Sequence, residues 1–219
     1  MTTPLFTAVD YTLEDQQTVF KGFFSMQKLR LKHRCFAGGW TNTMSRELLL
    51  RGQAVGVLAY DPWQDQVIMV EQFRVGALQD KTSPWLLEMI AGMVEAGEEP
   101  ETVAHREAEE EAGLKLLALQ PLFTYYSSPG GTDEQILLYC AVVDARGVGG
   151  IHGLAEENED IRVVVLPREV AQQQASKGRA CNAMSLISLQ WLQMNHQQLQ
   201  MQWQDQQPSF NKPSALNNP

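Results

Sequence analysis

Gly92-Met-Val-Glu-Ala-Gly97-Glu98-Glu-Pro100-Glu-Thr-Val-Ala-His-Arg106-Glu107-Ala-Glu-Glu110-Glu111-Ala-Gly113-Leu114 is the most informative segment of this sequence. A helix should follow Gly97. Pro100 suits its first turn, where a missing N–H leaves no bond unmade, and Gly113 suits its C-terminal stop. Glu107 and Glu111 are four residues apart and Glu110 is three from Glu107, so on a helix these carboxylates share one face. Like charges at that spacing destabilise a helix by roughly a few tenths of a kcal/mol per pair, and the macrodipole disfavours negative charge in the last turns. Divalent cations would offset both penalties. Magnesium takes oxygen ligands and keeps several waters, so a few carboxylates plus a substrate diphosphate suit it. A Glu run judged by composition alone is more often a solvated face.

The charge distribution points to the same place. The chain has 219 residues, a formal net charge of −9 and 44% hydrophobic residues, including five Trp, eight Phe and five Tyr. That is enough apolar material for one full core with a small appended subdomain. Between Glu95 and Glu111 eight Glu face one Arg, which accounts for −7 of the −9. The acidity is therefore local, as at a cation site, and it disfavours nucleic acid and anionic membranes as partners. Cys35, Cys140 and Cys181 are widely spaced and form no CxxC pair. A disulfide framework or zinc site is not expected, and a reducing compartment, the cytoplasm, fits best. Cys140 lies in an apolar run and reads as a small buried hydrophobe. The N-terminus lacks a basic start and a long apolar stretch, and no segment approaches the roughly 18 apolar residues of a membrane span.

Away from the acidic helix, residues up to about 50 read as a small β unit. Residues 26–33 alternate in part, as a half-exposed strand does, and residues 41–50 form a second strand candidate. The apolar runs 54–60 and 66–72 flank Asp61-Pro62-Trp63-Gln64-Asp65, which has turn chemistry, so the pair reads as a hairpin. Residues 85–90 form a short strand. After the acidic helix, residues 119–126, 135–143 and 161–166 read as strands, and 167–177 and 182–201 as helices. In the last of these Met184, Ile187 and Trp191 recur at helical spacing, with Leu189 and Leu192 on the same face, a stripe that reads as core packing. Residues 204–219, rich in Gln, Asn and Pro, are expected to be disordered.

The acidic stretch resembles the Nudix hydrolases, whose box reads G-x5-E-x7-R-E-U-x-E-E-x-G-U, with U usually a bulky aliphatic. All seven fixed positions are present: Gly92, Glu98, Arg106, Glu107, Glu110, Glu111 and Gly113. Leu114 fills the last U, and Ala108 fills the first with a smaller residue. The resemblance implies an α+β fold, an α/β/α sandwich around a mixed sheet, with a small N-terminal antiparallel β subdomain. Residues 1–50 would form that subdomain and 51–203 the hydrolase domain. It also implies that Glu107 and Glu111 bind magnesium, or manganese, with the backbone at Ala91 completing the site. Glu98 and Arg106 would form a structural ion pair, Glu110 would bind metal or orient its ligands, and Gly92 and Gly113 would support the box.

Other segments resemble the ADP-ribose branch of these enzymes. Pro129 stands sixteen residues beyond Gly113, within Ser127-Ser128-Pro129-Gly130-Gly131-Thr132. Pro-Gly also makes an ordinary turn, and a tight loop can still present backbone groups to a ribose or phosphate. The segment Gly150-Ile-His152-Gly-Leu-Ala-Glu156-Glu157-Asn158-Glu159-Asp160-Ile-Arg162 resembles the catalytic loop of that branch. There Glu157 would be the general base and Glu159 a ligand of a further magnesium, while His152 stays structural. Phe23, Phe24, Arg46, Glu47, Arg51, Arg74, Met93, Ser128, Pro129, Gly130 and Glu134 match substrate-binding positions. Aromatics can stack on adenine and arginines can grip a diphosphate, although composition alone would place Phe23 and Phe24 in a core. The resemblance implies magnesium-dependent hydrolysis of ADP-ribose to AMP and ribose 5-phosphate by a homodimer that exchanges its N-terminal unit. Two alternatives stand beside it: another nucleoside diphosphate sugar such as GDP-mannose as substrate, or a non-catalytic ligand sensor on the same fold.

Overall fold

Alternation of apolar residues along the central strands sets the layers of this protein. The computed structural model describes residues 3–208. These form two compact units: one holds the chain up to Gln53 together with Tyr125–Gln135, the other Ala54–Thr124 together with the chain from Ile136 onward. The disordered tail expected over 204–219 falls mostly on 209–219, outside the described residues.

In the first unit, β1 (Tyr11–Lys21), β2 (Ser25–His33) and β3 (Met44–Leu50) form an antiparallel sheet in the order β1-β2-β3. Every residue of β1 is exposed, and its pairing with β2 shifts register twice, between Leu13 and Asp15 and between Thr18 and Phe20. Such bulges twist an edge strand and interrupt its row of free backbone groups. Partial alternation pointed to β2 and β3. It did not point to β1, whose polar Tyr11-Thr-Leu-Glu-Asp-Gln-Gln sequence has no buried face to produce a pattern. The segment Tyr125–Gln135 is tied to β3 by Leu49 N–H donating to Gly131 O at 2.9 Å and Asp133 N–H donating to Leu49 O at 3.3 Å.

The second unit contains most or all of β4 (Gln53–Asp61), β5 (Gln66–Phe73), β6 (Trp85–Glu88), β7 (Ile90–Met93), α1 (Pro100–Ala112), β8 (Ala118–Tyr126), β9 (Gln135–Val142), β10 (Gly150–His152), β11 (Ile161–Pro167), α2 (Arg168–Ser176) and α3 (Ala183–Trp203). Its mixed eight-stranded sheet runs β10-β11-β5-β4-β9-β8, with β6 paired to β5 and β7 to β4. Val55, Val57, Ala59, Ile68 and Val70 face α1, packing with Val103, Ala104 and Ala108. The alternate residues Leu58, Tyr60, Val67 and Met69 pack with Ala171, Leu189, Leu192 and Leu199 of α2 and α3. One sheet thus carries an apolar layer on each face, as the sandwich requires. Each fully buried Leu on α3 contributes roughly 1.5–3 kcal/mol by leaving water, and Asn182 caps the helix by accepting the Ser185 N–H at 2.8 Å.

The β4–β5 hairpin forms as the turn chemistry requires, with Asp61 Oδ1 accepting the N–H groups of Trp63 and Gln64 at 2.8 and 2.9 Å. The single strand expected at 85–90 is two strands, because the chain leaves β5 after Glu88 and pairs with β4 from Ile90. Among the described residues, no helix is long and apolar enough to cross a membrane.

Candidate active site

Helix α1 sets its carboxylates through the packing of its alanines. Ala104, Ala108 and Ala112 are buried at four-residue intervals against the sheet, and Glu111 lies among them, 3% exposed. The small residue at Ala108 therefore serves close helix–sheet packing. Glu111 Oε2 accepts the Ala91 N–H at 3.0 Å and Oε1 accepts from Gln72 Nε2 at 3.4 Å. Burial pushes its carboxyl up to about 8; the Ala91 N–H works against that rise and the nearby Glu107 charge adds to it. Glu107, one turn earlier, is pushed up to about 7, again first by burial, with Arg106 opposing and Glu110 and Glu159 reinforcing. The Glu107 carboxylate rests on the backbone of Gly92: a Cβ at 92 would fall on top of it. Glycine is needed here for close approach, not for its torsion freedom.

Arg106 makes more contacts than the one expected ion pair. Its Nη2 lies 3.6 Å from Glu98 Oε2, while Nη1 donates to Glu107 Oε1 at 2.8 Å and to Glu110 Oε2 at 3.1 Å. Glu98 Oε2 also accepts the Glu95 N–H at 2.9 Å, which closes the loop ahead of α1. Gly113 ends the helix in the left-handed region at φ 61°, its N–H donating to Glu109 O at 2.8 Å.

The loop between β10 and β11 carries the second acidic group. Gly153 N–H donates to Glu110 O at 3.2 Å, which ties the loop to α1. Glu159 Oε2 accepts the Leu154 N–H at 3.2 Å, and its charge bears on Glu107. Glu157 is exposed at the end of a single 3₁₀ turn, Ala155–Glu157, followed by Asn158 in the left-handed region at φ 57°. His152 packs against Gly113 and pairs with Gly149 O at 3.0 Å. Among the described residues, no three His, Cys, Asp or Glu side chains converge closely enough to hold a metal ion. Each carboxylate has a protein partner instead: Glu107 has Arg106, Glu111 has the Ala91 N–H and Glu159 has the Leu154 N–H. The donor set still fits a hard divalent cation. On this helix face Glu107 shares Arg106 with Glu98 and Glu110, and Glu111 has no ion-pair partner among the described residues, so the burial leaves negative charge that a cation would offset.

Gly92→Ala should test this seat. The obstacle to the new methyl is a side chain, so the fold should survive while Glu107 is displaced. Activity should fall by roughly 10- to 100-fold, with a raised requirement for a divalent cation. Unchanged magnesium dependence in a titration would show that Glu107 does not need the Gly92 seat.

In the first unit, Phe24, Arg51 and Glu134 meet. Arg51 Nε donates to Glu134 Oε1 at 2.6 Å, and its guanidinium stands 4.4 Å from the Phe24 ring centroid. Asp133 Oδ1 accepts the N–H groups of Arg51 and Gly52 at 2.7 and 3.2 Å. Phe23 packs edge-on to Phe24 at 4.8 Å and is 88% exposed, so it is not a core residue. Ser128 O accepts the Gly131 and Thr132 N–H groups, which makes Ser128-Pro129-Gly130 an exposed tight turn. Arg46 and Glu47 are exposed on β3 and, among the described residues, make no hydrogen bond or ion pair with this group. In the second unit Met93 is half-buried at the end of β7, and Arg74 follows β5, its Nε donating to Glu88 Oε2 at 2.6 Å. Gln72 and Glu88 were not singled out in the sequence. Glu88 had a signal: a carboxylate inside the apolar run Trp85–Ile90 needs a partner.

The NUDIX domain model matches residues 50–183, and the chain belongs to the Nudix family. It is 49% identical over 201 residues to the ADP-ribose pyrophosphatase of Haemophilus influenzae, spanning 90% of this chain and 93% of that protein. It is 46% identical over 194 residues to the ADP-ribose pyrophosphatase of Escherichia coli strain K12, spanning 89% and 93%. The GDP-mannose pyrophosphatase of Shigella flexneri is more distant, 33% identical over 156 residues, or 69% and 78%. A crystal structure described as an ADP compounds hydrolase aligns with a TM-score of 0.64 over 85% of this chain and 96% of that one. At 19% identity it shows the shared fold.

Proposed function

We propose that this chain is a magnesium-dependent ADP-ribose pyrophosphatase, which hydrolyses the diphosphate of ADP-ribose to AMP and ribose 5-phosphate. The observation that carries the chemistry is the Glu107 carboxylate resting on Gly92 beside the buried Glu111. Support for the substrate comes from near-half identity, over about nine-tenths of the chain, to two ADP-ribose pyrophosphatases. The GDP-mannose reading has the weaker relative at 33%. The ligand-sensor reading is opposed by the complete set of box glutamates.

Glu107, Glu111 and Glu159, with the backbone at Ala91, would hold magnesium or manganese. When bound, the cation neutralises the diphosphate and lowers the pKa of an attacking water. Glu157 takes the proton from that water. Arg106 fixes Glu107 and Glu110, and Glu98 closes the loop behind them. Arg74 and Met93 contact the substrate from the second unit. Phe23 and Phe24 would offer the adenine a stacking surface with Arg51 beside it, Arg46 and Glu47 would reach the substrate from β3, and the Ser128-Pro129-Gly130 turn with Glu134 would receive the terminal ribose. The test is the purified protein with magnesium and a panel of nucleoside diphosphate sugars, with products identified. ADP-ribose should give the highest kcat/KM, and a clear preference for GDP-mannose would overturn the assignment.

The working form in this reading is a cytoplasmic homodimer. Two exposed surfaces support a partner copy: β1, with Val19 and Phe20 at 50% and 61% exposure, and the group Phe73, Val75, Leu78 and Trp85 at 47%, 73%, 56% and 49%. Apolar surface of this kind is commonly covered by another chain. Light scattering at assay concentration should give twice the 24.6 kDa chain mass. An active monomer there would rule the dimer out.

A further inference from the structure

Arg74 is the substrate contact with the least obvious means of staying in place. It lies just past the end of β5, and its side chain is 40% exposed. Arginine has a long side chain with considerable rotamer freedom, and a grip on a diphosphate needs its planar fork held in one orientation. The structure provides a holder that the chemistry does not otherwise use. Glu88, on β6, is 5% exposed. Its Oε2 accepts from Arg74 Nε at 2.6 Å, and its Oε1 accepts from Asn182 Nδ2 at 2.5 Å. Asn182 is itself fixed, because its Oδ1 caps α3 through the Ser185 N–H at 2.8 Å. Ser185 Oγ in turn accepts the N–H of Met89, the residue after Glu88, at 3.2 Å. The chain of contacts closes on itself, from β6 to the start of α3 and back to the next residue along the strand.

This arrangement is specific in two ways. A buried carboxylate is costly unless both oxygens are paired, and here each oxygen has one charged or amide donor. The contact also uses Nε of Arg74, and Nη1 and Nη2 make no hydrogen bond among the described residues. Those two groups are the ones that grip phosphate oxygens in bidentate fashion. Arg74 is also near enough to the acidic helix for its charge to bear on Glu111.

We propose that Glu88 is a positioning residue for diphosphate hydrolysis: anchored by Asn182 to the start of α3, it holds Arg74 by Nε and leaves the Nη groups for the substrate phosphates. The proposal rests on Arg74 as a substrate contact, and the experiment separates the two claims. Steady-state kinetics on ADP-ribose at saturating magnesium would be measured for Arg74→Ala, Glu88→Gln and the double variant, with a thermal melt of each. Arg74→Ala should raise KM by roughly 10- to 100-fold, as loss of a charge-assisted contact does. Glu88→Gln should raise KM in the same direction with Arg74 present and have no further effect in the Arg74→Ala background. Asn182→Ser keeps a competent helix cap but removes the amide donor. It should raise KM by a smaller factor, again only while Arg74 is present, and it serves if Glu88→Gln fails to fold. Multiplying effects of Glu88→Gln and Arg74→Ala, or a lowered melting temperature with KM unchanged, would overturn the positioning role. An unchanged KM in Arg74→Ala would instead remove Arg74 from the substrate site, and the proposal with it.

Discussion

Glu157→Gln should lower kcat by about 10²- to 10⁴-fold, the usual cost of losing a general base, while KM for ADP-ribose changes little. Gln keeps the shape of the side chain and removes the proton acceptor. The position suits a residue that acts only in the assembled complex: Glu157 is exposed at the end of a single 3₁₀ turn, on a loop held at its root by the Gly153 N–H on Glu110 O. A loop of this kind can bring its carboxylate to the water after substrate and metal are bound. Glu156→Gln, one residue away, should have a far smaller effect. Glu159→Gln should give a defect that added magnesium partly rescues if Glu159 is the metal ligand proposed above. The three variants should be compared across magnesium concentration and pH. Near-normal kcat in Glu157→Gln, or rescue by magnesium equal to that of Glu159→Gln, would move the base elsewhere, with Glu110 next in line.

Glu111→Gln should reduce activity by about 10²-fold or more at ordinary magnesium, because it removes the most buried carboxylate of the helix face. Its effect on stability should go the other way. The Glu111 carboxyl is raised from an ordinary value of 4.5 to about 8. A carboxyl that binds its proton more tightly when folded contributes stability that is complete below the unfolded value and is lost as pH rises through the folded one. The metal-free protein should therefore melt at a lower temperature at pH 9 than at pH 6, by on the order of 5 °C. Glu111→Gln should flatten that slope and melt higher than the parent above pH 8. Added magnesium should raise the parent's melting temperature at high pH far more than the variant's. Wild-type turnover in the variant, or a parent with no pH slope, would show that this carboxylate is not the strained partner of a cation.

The features legible in the sequence were those that local chemistry specifies. Pro100 and Gly113 bracketed α1 correctly, the turn chemistry of 61–65 located the β4–β5 hairpin, and the continuous apolar runs 54–60 and 66–72 marked strands buried on both faces. The spacing of Glu107, Glu110 and Glu111 identified a shared face but not its internal differences. Only packing decides that Glu111 turns inward among alanines while Glu107 lies on Gly92. Three contacts to Arg106, where one was expected, arise because a guanidinium has five donors and sits at the crowded end of the same face. Strand β1 left no trace because both of its faces meet solvent, and the break at Met89 was hidden because no Gly, Pro or other turn residue marks it within the run 85–90.

The small unit is discontinuous in sequence, and that limits how the enzyme can be recombined. Arg51 owes its place to Asp133 and Glu134, about eighty residues away, and β3 is bonded along Leu49 to Gly131 and Asp133. A chimaera that imports only the first fifty-three residues from a relative would carry one half of this lock and inherit a foreign other half. The two segments form one heritable block. Grafts aimed at new nucleotide preferences should exchange residues 1–53 and 125–135 together, and natural divergence in one is expected to be mirrored by compensating change in the other.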